Sequence, residues 1–153
     1  VQSSITCFIS SGSKVLIFAF FMKIRTLEPE DIKQVIDIWT NSFSRNFSKP
    51  VNSEYLSDPN STTIVISVED IIVGVASIHI IKKLTRILGI IEDVAVNKKY
   101  RGKGVGKKLV ERLILIGKQK NCDKIVLSSS EENSKFYEKI GFKKKELQMV
   151  IRN

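Results

Sequence analysis

Histidine occurs once in this chain, cysteine twice, tryptophan once and proline three times. Each scarcity excludes something. A lone His79 cannot assemble a metal cluster, and the sequence reads it as an ordinary strand residue. Cys7 and Cys122 form neither a disulfide framework nor a zinc set. No metal is expected, and with no disulfide framework a reducing compartment, the cytoplasm, is the natural setting. The N-terminal apolar stretch, residues 15–21, falls well short of the roughly 20 residues that span a bilayer. It also lacks an early basic region and a small-residue cleavage site. Residues 1–21 are therefore read as a non-domain extension, with a targeting leader as the alternative, and no membrane partner is expected. Met22 opens a segment that looks like a natural start.

Acidic residues are also short. Sixteen carboxylates face 25 lysines and arginines, a formal charge of +9. Such a chain attracts anions, whether nucleic acid, an acidic membrane or a polyphosphate cofactor. With 153 residues, 42% of them hydrophobic, residues 22–153 suffice for one domain with a real core.

Apolar periodicity supplies the elements. Residues 23–27 alternate as a first strand. Ile32, Val35, Ile36 and Trp39 share one helical face, with Pro29 and the acidic Glu28, Glu30 and Asp31 at its start. Residues 40–61 read as a loop or short helical pieces. Residues 62–68 and 72–80 read as a hairpin, and residues 88–96 as a third strong strand. Residues 104–120 form the best helix, with Val105, Leu109, Leu113 and Ile116 as its stripe. A short strand at 124–128, a short helix ending near Gly141 and a last strand over 144–152 complete the chain. The order β-α-β-β-β-α-β-α-β predicts a mixed α/β (α+β) layered fold, not a doubly wound sheet.

The stretch "YRGKGVGKKL", residues 100–109, carries the chemistry. Gly102, Gly104 and Gly106 let the backbone turn tightly where a helix begins. Uncapped N–H groups of the first helical turn then face an anion. Lys98, Lys99, Arg101, Lys103, Lys107 and Lys108 crowd around it. A Walker loop would need Ser or Thr after Lys107, and the spacing fails the Rossmann fingerprint. A phosphate-bearing ligand is the reading that remains. A nucleic-acid module is the alternative, but no aromatic platform interleaves with these cations as single-strand binding would require.

Arg101-x-x-Gly104-x-Gly106 between strand and helix, followed by Asn133, Tyr137 and Gly141-Phe142, resembles the GNAT N-acetyltransferase superfamily from Lys23 to the C-terminus. "GIIEDVAVNKKYRGKGVGKKL", "NCDKIVL" and "ENSKFYEKIGFKKKELQM" are similar to the eukaryotic-type glucosamine-6-phosphate N-acetyltransferases, over about residues 89–149. That family usually carries an acidic residue after the "KI-x-L" strand; here Ser128, Ser129 and Ser130 stand there. The resemblance implies a GNAT fold, a mostly antiparallel twisted sheet flanked by helices and splayed at its acetyl-CoA-binding strand. It implies acetyl-CoA as co-substrate. Backbone N–H groups of Arg101, Gly102, Lys103, Gly104, Val105, Gly106 and Lys107 would take the pyrophosphate. Val94, Ala95 and Val96 would pair with the pantetheine arm and supply the oxyanion donor, and Asn133 would touch the arm.

Direct transfer needs a proton acceptor for the amine and a donor for the leaving thiolate. Glu92 and Asp93 are the candidates for the first; strand alternation lets at most one face the site. The resemblance assigns Tyr137 to the second: a phenol, with an ordinary pKa of about 10, holds its proton at neutral pH. Glu92, Asp93, Ser128 and Arg152 are the acceptor-side candidates, with the bases of residues 82–86 suited to an acceptor phosphate. The implied reaction is acetylation of glucosamine 6-phosphate in amino-sugar metabolism, the alternative being another small amine or a protein amine. No nucleic-acid partner is expected on that reading. The narrower resemblance implies a homodimer, with the last strand crossing to the partner.

Overall fold

The computed structural model describes residues 22–44, 47 and 51–151. The N-terminal extension assigned to residues 1–21 lies outside them, as does Arg152. Five strands form one sheet in sequence order: β1 (Met22–Thr26), β2 (Ser61–Val68), β3 (Ile71–Lys82), β4 (Ile87–Val96) and β5 (Lys124–Leu127). β1 to β4 are antiparallel neighbours, and β5 lies parallel to β4. The helices are α1 (Ile32–Phe43), α2 (Ser53–Ser57), α3 (Val105–Gln119) and α4 (Glu131–Glu138).

The two apolar faces of the sheet are covered differently. α3 lays Val105, Leu109, Val110 and Leu113 onto Ile64, Ile66, Ile78 and Ile91. Leu109 and Leu113 are fully buried, and each such side chain stabilises the fold by about 1.5–3 kcal/mol. α1 covers the opposite face, where Val35 and Ile38 meet Val65, Ile72, Val75 and Ala95. Ahead of α1, Arg25 grips the buried Asp31 through two guanidinium nitrogens, one at 2.8 Å. Asp31 also accepts the Glu28 backbone N–H at 2.9 Å. The start of α1 is thereby pinned to β1. Among the described residues, no helix is long and apolar enough to cross a membrane.

The hairpin turns where the sequence places it, and one expected element is missing. The hairpin turns on Glu69 and Asp70, both with positive φ (49° and 65°), the primed geometry that suits strand twist. The expected last strand is absent: residues 142–151 form no regular element, and Leu147, Met149 and Ile151 stand about nine-tenths exposed (93%, 89% and 93%). A strand exists only by pairing. "ELQMVI" has the right alternation, yet in this single chain no neighbouring strand takes up its backbone.

Candidate active site

β4 and β5 pair only from Leu88↔Lys124 to Ile91↔Leu127. Past Leu127 the chain turns away through Ser128–Ser130 into α4, while β4 runs on to Val96 without β5 beside it. The sheet therefore opens along Glu92–Val96, the splay expected of it.

A bulge sits at the start of that opening. Ser77 pairs with Glu92 and Val75 with Ala95, so Ala76 alone faces both Asp93 and Val94. Asp93 takes φ 55°, the left-handed region that a non-glycine residue seldom occupies. α1 stabilises this geometry: Trp39 Nε1 donates to the Asp93 carbonyl at 3.1 Å. Bulges re-aim side chains at strand ends, and here the bulge breaks the simple alternation assumed for Glu92 and Asp93. Both side chains are exposed. Register assigns Glu92 to a definite face. Thr63↔Ser77↔Glu92 is one cross-strand row, next to the Val65–Val75–Ala95 row under α1. Glu92 therefore stands on the α1 side of the sheet, opposite α3.

β4 ends at the glycine turn. Arg101 Nε donates to the Val96 carbonyl at 3.1 Å and ties the turn back to the strand. Gly102 and Gly104 take φ 74° and 83°, where an L side chain is strained. Gly104 is the N-cap of α3, and no side chain caps it. The first helical bond runs from Lys108 N to Gly104 O, 3.0 Å. The N–H groups of Val105, Gly106 and Lys107 thus lie ahead of the helical ladder, at its positive end. Val105 buries its side chain beneath the turn. The Lys103 ammonium lies 5.1 Å from the Tyr100 ring centroid, and Lys107 pairs with Glu111 at 3.7 Å on the exposed face. Of the N–H groups expected to take the pyrophosphate, that of Arg101 is already given to the Lys98 carbonyl at 3.4 Å, whereas those of Val105, Gly106 and Lys107 precede the helical ladder.

α4 closes the third side. The Phe136 ring lies over Gly106, where an added Cβ would come within 3.3 Å of it. Tyr137 packs edge-on between Phe136 (4.9 Å) and Phe142 (6.1 Å), half-buried against the α3 core. Burial pushes its phenol pKa above the ordinary value, because the phenolate would lose solvation. Tyr137 is thus a firmly protonated donor. Asn133, exposed one turn earlier, donates to Ser130 Oγ at 3.1 Å. Ser128 and Tyr137 both border an open groove of about 1140 Å³ between α4, β5 and residues 143–148.

The structure therefore brings Val96 of β4 and Phe136 of α4 to Gly106 of the turn, places Tyr137 next to Phe136 on the groove beside β5, and sets Glu92 on the α1 side of the sheet. Sequence reading passed over the polar rows on the α1 side. Buried Thr63 and Ser77 are hydrogen-bonded at 2.8 Å and continue to Tyr55 at 2.6 Å. Ser61 and His79 form the next row. Their signal was polar residues at period two inside two otherwise apolar strands.

The acetyltransferase (GNAT) family model matches residues 32–142. Over 83 residues the chain is 49% identical to a glucosamine 6-phosphate N-acetyltransferase of Trypanosoma brucei brucei, covering 52% of this chain and 56% of that protein. The chain spans about half the length of the curated relatives it matches. A solved acetyltransferase of Trypanosoma brucei superposes with TM-score 0.75 at 33% identity, covering 86% of this chain and 99% of that one. The glucosamine-6-phosphate N-acetyltransferase of Arabidopsis thaliana gives TM-score 0.73 at 33% identity, covering 86% and 97%. With its splayed sheet, its glycine turn and a family match over most of its length, this chain belongs to the GNAT family of acetyltransferases.

Proposed function

We propose that the protein transfers an acetyl group from acetyl-CoA directly to the amine of glucosamine 6-phosphate. The observation that carries this reading is the opening of β4 from β5 immediately before the bare glycine turn. In it the turn's backbone N–H groups hold the pyrophosphate. Peptide groups of Val94–Val96 hold the pantetheine arm as an added strand would, and one N–H meets the developing oxyanion. Asn133 steadies the arm.

The chemistry then asks mainly for positioning. The acceptor approaches from the α1 side, where Glu92 faces it, with Asp93 beside the bulge. The amine lone pair forms the C–N bond as the C–S bond breaks, and the sulfur takes the Tyr137 proton. The surplus proton on nitrogen leaves to a base on that side, the Glu92 or Asp93 carboxylate taking it directly or through water. The exposed bases Lys82, Lys83 and Arg86, at the β3–β4 turn, suit an acceptor phosphate, and Arg152 is the further candidate for it. The exposed apolar residues of that segment favour a homodimer in which it pairs with a second copy.

The substrate for which these relatives are named supports the sugar. Ser128–Ser130, of which Ser128 and Ser129 line the groove, is the place where this chain departs from the sugar pattern. Acceptor-dependent release of CoA thiol, with glucosamine 6-phosphate against a panel of other small amines, tests the assignment. Acetyl-CoA turnover with other amines alone would keep the transferase and discard the sugar.

A further inference from the structure

Asp58, Ser61 and His79 form a hydrogen-bonded chain whose proton positions can be counted. Asp58 is held as a carboxylate: its pKa lies below the usual range because Ser61 donates to it, followed by the Asn60 backbone N–H. Ser61 Oγ lies 2.6 Å from Asp58 Oδ2, and Asn60 N lies 2.9 Å from Oδ1. A carboxylate only accepts, so the Ser61 hydroxyl proton points at Asp58. Ser61 Oγ is also 3.0 Å from His79 Nδ1. With its own proton committed, the hydroxyl must accept there, and Nδ1 carries the proton. The imidazole is therefore fixed as the Nδ1–H tautomer, and Nε2 keeps its lone pair. Among the described residues no hydrogen-bond partner takes Nε2.

The location of that lone pair gives it meaning. His79 is only partly buried. Its ring is tilted against Tyr55 of α2, 5.8 Å between centroids. It shares a sheet face with Glu92: His79 pairs with Ile90, and Ser77 with Glu92. His79 and Glu92 are thus diagonal cross-strand neighbours, about 7–8 Å apart at Cα and within common reach of one small molecule. Among the described residues, the groups at the imidazole are Asp58 through Ser61 and the Tyr55 ring from α2, with Glu92 of β4 on the same sheet face.

We propose that His79 is the proton acceptor for the incoming amine, its Nε2 lone pair directed by the Asp58–Ser61 chain and Glu92 holding the amine beside it. This rests on the acetyl-transfer reading above. As the C–N bond forms and the C–S bond breaks, the surplus nitrogen proton moves to Nε2. Tyr137 gives its proton to the thiolate, and the two side chains re-equilibrate through solvent. The amine and thioester become an amide and a thiol. The imidazolium that forms is stabilised by the Asp58 charge through Ser61. Ser61 and Asp58 are positioning residues in this scheme.

Because the chain has one histidine, its imidazole nitrogens can be read without ambiguity in the full-length protein. Nitrogen-15 NMR at neutral pH should show the Nδ1–H tautomer, and Ser61→Ala should release it toward the Nε2–H form. The opposite tautomer in the unaltered chain would overturn the proposal. In parallel, kcat/KM for glucosamine 6-phosphate should fall at acid pH with the pKa that NMR assigns to His79. His79→Gln should remove that limb and lower kcat/KM about 10²–10⁴-fold, with acetyl-CoA affinity unchanged. An unaltered rate and acid limb in His79→Gln would also overturn it. Failure of the acetyl-transfer reading would look different, since the unaltered chain itself would acetylate no amine; that result would remove this role too.

Discussion

Gly104 offers the most direct structural perturbation of the glycine turn. It takes φ 83° and ψ −1° as the N-cap of α3. A Cβ added there would meet nothing within 4 Å, so any penalty is conformational, not steric. An L residue in this region costs about 1–2 kcal/mol, and more when β-branched. Gly104→Val can respond in two ways. It can keep the turn and lose stability, about 2–4 °C in Tm per kcal/mol for a chain of this size. Or it can relax the turn to negative φ, swinging the N–H groups of Val105 and Gly106 off the anion. Relaxation of 1–2 kcal/mol that must be reversed on binding raises the acetyl-CoA Kd about 5–30-fold, and losing two charge-assisted bonds carries it beyond 100-fold. Abolished binding in practice is the expected result. Gly104→Asn is the control, because Asn tolerates the left-handed region; it should bind within a few-fold of the unaltered chain. Titration calorimetry with acetyl-CoA, beside thermal melts of all three proteins, reads both quantities. A folded Gly104→Val protein with unaltered acetyl-CoA affinity would refute the assignment of this turn to the pyrophosphate.

Three further outcomes follow from the same geometry. Tyr137→Phe keeps the packing against Phe136 and Phe142 but removes the donor, so kcat should fall about 10²-fold or more while acetyl-CoA affinity holds; steady-state kinetics with a binding titration separates the two, and an unchanged kcat removes Tyr137 from the mechanism. Gly74→Ala places a Cβ 2.7 Å from Val105 and 3.0 Å from Leu109 in the α3 core, and this overpacking should cost about 1–3 kcal/mol in denaturant unfolding. Asp31 has its pKa lowered, first by the hydrogen bond from Arg25. Its contribution is then complete above the unfolded-state value, near 3.9, and is lost as pH falls toward the lower folded value. Asp31→Asn should cost on the order of 1–2 kcal/mol at pH 7, since Arg25 is partly solvated, and should flatten the acid limb of stability below about pH 4; an equally steep limb in the variant would contradict this.

Much of the fold was legible because it rests on periodicity. Ile32 to Trp39 and Val105 to Ile116 announce helices by spacing alone, and both helices form over those residues. The glycine turn was legible because Gly102 and Gly104 stand where only positive φ fits. The β4 bulge was not: Asp93 adopts its left-handed φ through a tertiary bond from Trp39, 54 residues away, and local sequence carries no trace of that. The last strand was misplaced for a related reason, since alternation announces a strand but not its partner. His79 is alone in sequence, and its hydrogen-bonded chain to Ser61 and Asp58 arises only through the β2–β3 register. The pairing of Arg25 with Asp31 was hidden too, their charges being read only as helix-start composition.

The central claim is acetyl transfer to a phosphorylated amino sugar at the opening of β4. The measurement that tests it most directly is CoA thiol release from acetyl-CoA by the purified chain, with and without glucosamine 6-phosphate. Release should be rapid, depend on the sugar and disappear in Gly104→Val. Tight acetyl-CoA binding with no sugar-dependent release would contradict it.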